Sequence, residues 1–156
     1  MIELYGKDAQ AEAGRSFEIH ATAWEVVTVF LYVCDQWKGG KLLTEEVLGK
    51  LAGCQVGDAL ENQSDCDRLA GQMEFLLAHP AMIREFGLGL DTYDGEPVIT
   101  MDGPLLADST GRVYSSAMVS AADAARLQLR SAHFVKVERI RELIAFLKAC
   151  HGFVLA

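Results

Sequence analysis

Residues 17–37 read as a segment without a polar face. Phe17, Trp24, Val26, Val27, Val29, Phe30, Leu31, Tyr32, Val33 and Trp37 are apolar nearly all round a helix, with few polar residues between them. A segment that is apolar nearly all round belongs in the centre of a domain. Residues 26–33 have the β-branched content of a strand, but a run of about twenty residues without a turn signal is too long for one. The reading is a central helix over 17–37 that stops before Gly39-Gly40. Whether it is continuous stays open. Its longest apolar piece, residues 21–34, is interrupted by Glu25 and Thr28 and falls short of the roughly 20 residues a membrane span requires.

Other helices announce their ends. Thr44 is a good N-cap, followed by Glu45 and Glu46 at the positive end of the dipole, and predicts a short helix to residue 51. Ser64 and Asp67 resemble a capping box, after which Cys66, Leu69, Met73 and Leu76 recur at three- and four-residue steps over 65–79. Pro80 suits the first turn of a helix carrying Met82, Ile83 and Phe86, stopped by Gly87 and Gly89. Ser120 opens an alanine-rich helix to residue 130. Val137, Ile140, Leu143, Ile144 and Leu147 make the clearest amphipathic stripe, closed by Gly152, with residues 153–155 tucking back on the core.

Between 97 and 116, short β-prone pieces alternate with the turn chemistry of Asp102-Gly103-Pro104 and Asp108-Ser109-Thr110-Gly111. The fold expected is therefore α+β and mostly α-helical, a helical core with a small β-hairpin or meander near residues 97–116. Residues 1–15 read as a flexible N-terminal segment that can add a strand at 2–5, and 16–156 as a single globular domain. With 156 residues, 51% of them apolar, the chain can bury a core without crosslinks. That core is expected to hold Trp24, Val27, Phe30, Leu31, Leu69, Met73, Leu76, Ile140, Leu143, Ile144 and Leu147.

Charge is segregated along the chain. Residues 58–108 carry eleven carboxylates and two arginines, whereas residues 111–156 carry seven basic and three acidic side chains. The net charge of −8 argues against direct nucleic-acid binding and against anionic membranes, which both need a basic surface. The start of the chain, with Glu3, Asp8 and Glu12, lacks the apolar region of a secretory signal, so a cytoplasmic location is expected. There Cys34, Cys54, Cys66 and Cys150 stay reduced and form no disulfide framework.

The C-terminal run from Phe134 through the 137–149 stripe to His151-Gly152-Phe153 resembles the closing helix of a family of small, uncharacterised bacterial and phage-borne proteins that end in a glycine-phenylalanine tail. The aromatic segment 17–37 and the 69–77 stripe sit where that family places its other two helices. The resemblance covers about half of the chain and consists of packing motifs, so it implies a fold and no activity. Some members pair cysteines in the β-prone region. This chain has none between Cys66 and Cys150, which leaves a zinc-ribbon role without ligands.

Motifs for chemistry are sparse. There is no Cys-x-x-Cys, His-x-x-x-His or His-Glu-x-x-His spacing, so no metal and no cofactor is expected. Asp91, Asp94 and Glu96 lack the alternating ligands of a calcium loop. Gly87-Leu88-Gly89 is not a phosphate loop. Cys150 with His151 is the nearest thing to an activated thiol, yet adjacent helical residues point about 100° apart and Cys150 continues the apolar stripe. His133 reads as a capping or surface residue before a candidate base.

Two function classes follow. In the first, an interaction or inhibitor protein, of anti-defence or immunity type if the phage-borne resemblance applies, docks a protein partner with a basic surface through Asp91, Asp94, Glu96, Asp102 and Asp108. In the second, an enzyme assembles a site from scattered groups such as Cys150, His151 and His133 with loop carboxylates. The basic face of the last helix, with Arg139, Arg141 and Lys148, can pair with acids of the same chain or of a second copy in a homodimer.

Overall fold

Ser16-Phe17-Glu18-Ile19 alternates exposed and buried side chains, the period of a strand, and that alternation separates these residues from the helix that follows. The computed structural model describes residues 1–37 and 42–156. In it, β1 (Ile2–Gly6) pairs antiparallel with β2 (Ser16–Ile19), setting Leu4 opposite Phe17 and Ile2 opposite Ile19. Residues 1–15, read from sequence as a loosely held segment, thus supply an inner strand and a 3-10 turn, Glu12–Gly14. His20 alone separates β2 from α1 (Ala21–Trp37), which is shorter than the helix expected over 17–37 and is not buried all round, since Glu25, Val29, Tyr32 and Gln36 form an exposed stripe. The expected Gly39-Gly40 stop lies outside the described residues.

Next come α2 (Glu45–Ala52), β3 (Gly57–Leu60), α3 (Gln63–Leu77) and α4 (Pro80–Glu85). Thr44 caps α2 as its sequence predicts, its hydroxyl accepting from Val47 N–H at 3.2 Å. Asn62, not Ser64, caps α3 by accepting from Asp65 N–H at 2.9 Å, so that helix starts two residues early. The hairpin β4 (Gly89–Tyr93) and β5 (Glu96–Thr100) turns on Asp94-Gly95, both at positive φ, the geometry of a two-residue hairpin loop. Then follow β6 (Leu105–Ala107), β7 (Val113–Ser115), the 3-10 turn Ser116–Met118, α5 (Ala121–Arg126), β8 (Arg130–Ser131), β9 (Phe134–Lys136), α6 (Val137–Ala149) and β10 (Phe153–Leu155).

The strands make three antiparallel sheets, ordered β2-β1-β10-β3, β4-β5-β9 and β7-β6-β8. This corrects the expectation of a mostly helical chain: 47% of the described residues are helical and 24% lie in strands, a balanced α+β fold. Nor do the strands near 97–116 form one meander. β5 joins one sheet, while β6 and β7 join another.

The helices still build the core. α3 packs on α6 and on α1, and all eleven residues expected inside are buried. Trp24 crosses to α2, its indole N–H donating to the Leu51 carbonyl at 2.8 Å. Among the described residues no helix is long and apolar enough to cross a membrane.

Candidate binding groove

β2 and β9 are both outer strands, each paired on one side only. The hydrogen bond from Gly6 N–H to Arg15 C=O sets the phase of β1 with β2, so the backbone groups of Phe17 and Ile19 face β1 and those of Ser16 and Glu18 face outward. In the same way Met101 N–H to His133 C=O directs Val135 toward β5 and leaves the backbone of Phe134 and Lys136 on the free edge. A groove of about 900 Å3 runs between these two strands. The start of α1 and one face of α6 complete it.

Its lining is largely apolar. Phe17 and Phe146 lie with ring centroids 6.1 Å apart, Ala145 and Ala23 add small surfaces, and Phe134 packs edge-on against Tyr93 at 4.8 Å. Arg139 stands over the Phe17 ring at 4.7 Å, pairs with Glu142 and donates to the outward Glu18 carbonyl. Lys136 pairs with Glu96 at 2.7 Å, and that carboxylate raises the ammonium pKa. Both cations are therefore committed, and the Glu18 carboxylate has no cationic partner among the described residues. It stands directly across β1 from Glu3, a like-charge pair that disfavours the fold slightly unless a cation joins it.

Chemically the groove is equipped to bind. Its one imidazole, His20, is exposed and makes no hydrogen bond to Ser16 or Thr22, so no activated nucleophile is assembled there.

The candidate catalytic residues lie outside the groove lining, and no side-chain hydrogen bond or ion pair joins Cys150, His151 and His133 to one another. Cys150 is fully buried at the end of α6, its sulfur 3.6 Å from that of Cys66. His151 follows at φ 58°, exposed, with its backbone N–H held by the Gln63 side chain at 2.7 Å. His133 is buried against the turn before β6. Its Nε2 accepts from Leu105 N–H at 3.3 Å, which puts the ring proton on Nδ1 and closes Nε2 to base chemistry. That Nδ1 lies 3.3 Å from Glu25 Oε2, within ion-pair distance but off the line a hydrogen bond needs.

The acidic residues singled out in sequence are placed apart in role. Asp94 pairs with Arg130 at 3.0 Å, beneath which Tyr93 offers its ring at 4.1 Å. Glu96 holds Lys136. Asp91 accepts from its neighbour Thr92 N–H at 2.7 Å, and Asp102 is exposed in its turn. Asp108 organises the loop into β7, accepting from the Thr110 hydroxyl and N–H, from Arg112 N–H and from the Tyr114 hydroxyl. Those bonds, led by the Thr110 hydroxyl, hold its carboxyl below the usual range.

Among the described residues three ion pairs join the acidic middle to the basic end of the same chain: Asp94 to Arg130, Glu96 to Lys136, and Glu74 to Lys148. Among the described residues no group of three or more His, Cys, Asp or Glu side chains is arranged to hold a metal. Comparison with family models, with curated proteins and with solved structures finds no match.

Proposed function

We propose that this chain is a binding protein that takes an extended, basic segment of another protein as an added strand in the groove between β2 and β9. The observation that carries the reading is the pair of open strand edges on either side of one apolar-floored groove. The outward N–H and C=O groups give main-chain affinity, the Glu18 carbonyl excepted because Arg139 already donates to it, and alternate side chains of the guest reach the Phe17 and Phe146 floor. The volume of about 900 Å3 lies within the roughly 300–1,000 Å3 of ordinary ligand sites. A guest lysine or arginine is favoured because Glu18 and Glu3 face each other without a cation, and because the net charge of −8 draws basic segments in. The enzyme reading has less support, since the Cys150 thiol is buried against Cys66, His151 beside it is exposed, and His133 is bonded to Leu105 N–H.

Two synthetic octapeptides test this, one alternating lysine with valine and one alternating glutamate with valine. In fluorescence anisotropy the lysine peptide binds, more weakly as salt rises, and the glutamate peptide does not. Equal binding of both, or of neither, refutes the proposal.

A further inference from the structure

Two buried thiols face each other where α3 meets the end of α6, and nothing in the groove uses them. Cys66 lies in the first turns of α3 and Cys150 caps α6. They are 84 residues apart in sequence, both fully buried, and their sulfurs are 3.6 Å apart. Cys34 is also buried but meets no other sulfur, and Cys54 is exposed.

We propose that Cys66 and Cys150 are a latent disulfide, closed by a small hydroperoxide such as hydrogen peroxide. The sulfurs need to approach by about 1.5 Å to reach bonding distance, within the reach of side-chain rotation and a small shift of the α6 end. Cys150 leads into a turn of exposed His151 and buried Gly152, both at positive φ, which is held by the Gln63 side chain and by Lys7 N–H, shared between the Cys150 and Gly152 carbonyls. Both sulfurs are fully buried, so peroxide reaches them through transient local opening.

The reaction balances without a metal. One sulfur, as thiolate, attacks a peroxide oxygen; the O–O bond breaks, hydroxide takes a proton to leave as water, and a sulfenic acid forms. The second thiol then attacks the sulfenic sulfur, its own proton leaving with the hydroxyl as a second water. Two thiols have lost two electrons and peroxide has gained them. The neighbour's S–H is placed to donate to whichever thiolate forms first. The hydrogen bond with Cys150, then burial, pushes the Cys66 thiol up, so the second ionisation waits until the first sulfur has reacted.

The test uses the full chain carrying Cys54→Ser, which removes the exposed thiol. Hydrogen peroxide should lower the intact mass by two hydrogens. Digestion should then yield a dithiothreitol-sensitive crosslink between the Cys66 and Cys150 peptides, formed about tenfold faster than any change at Cys34. The urea midpoint should rise, as closing a long loop requires, and fall back on reduction. Adding Cys150→Ser should abolish the mass loss and the midpoint shift while circular dichroism stays unchanged. The proposal is overturned if both thiols survive peroxide that consumes free glutathione, or if they gain oxygen without crosslinking.

Discussion

Replacing Gln63 by alanine removes one side chain that ties the start of α3 to the end of α6. Its amide donates to Asp67 Oδ1 at 2.7 Å and to the Leu147 carbonyl at 2.8 Å, and its carbonyl accepts from His151 N–H at 2.7 Å. The Asp67 and His151 contacts are exposed, so water takes over much of their role and each is worth about 0.5 kcal/mol. The Leu147 bond is part-buried, and its loss leaves a helix-end carbonyl poorly served, at about 1 kcal/mol. Together the variant should lose about 2 kcal/mol in urea unfolding followed by circular dichroism, with an unchanged slope. Amide exchange at His151 should accelerate. A loss under about 0.5 kcal/mol, the level of an ordinary surface change, would show that Gln63 is not the clamp on the α6 end.

Two further substitutions probe the third sheet. A Cβ at position 103 would lie 2.2 Å from the His133 ring, so Gly103→Ala should destabilise by about 1–3 kcal/mol in urea, with His133→Ala restoring part of the loss in the double variant. Asp108 has a folded pKa below its unfolded value of about 3.9, so its contribution to stability is present above that value and disappears as pH falls through the lower folded pKa; Asp108→Asn should flatten stability against pH in that acid window, and parallel curves would contradict the assignment.

Legibility in the sequence followed the range of the interactions. Thr44 and Ser120 cap their helices because an N-cap needs only a hydroxyl and an N–H three residues on. The stripe from Val137 to Leu147 is likewise local. Strands of two to five residues carry little signal, and their partners are remote: β1 pairs with β10 across the chain, and β9 returns to β5. β2 was hidden because His20 alone separates it from α1, with no turn residues to mark the change, although Ser16-Phe17-Glu18-Ile19 does alternate. Since the groove needs both β2 and β9, it was out of reach once either was read as something else. The charge segregation was visible, but its pairing was not: Asp94–Arg130, Glu96–Lys136 and Glu74–Lys148 meet only in the folded chain.

Strand addition at β2 is tested most directly by Ser16→Pro. The Ser16 N–H points away from β1, at the first residue of an outer strand, so proline there spares the ladder, although Arg15 before it, helical at φ −77° and ψ −46°, must shift toward extended backbone at some cost in stability. The variant should keep its circular dichroism with a lowered urea midpoint, and in the folded protein its affinity for the alternating lysine–valine octapeptide should fall about tenfold, the worth of one main-chain hydrogen bond near 1.4 kcal/mol. In the parent protein the same peptide should shift the amide resonances of Ser16, Glu18, Phe134 and Lys136. Unchanged affinity in a folded Ser16→Pro variant, with those four amides unmoved at saturation, would contradict the account.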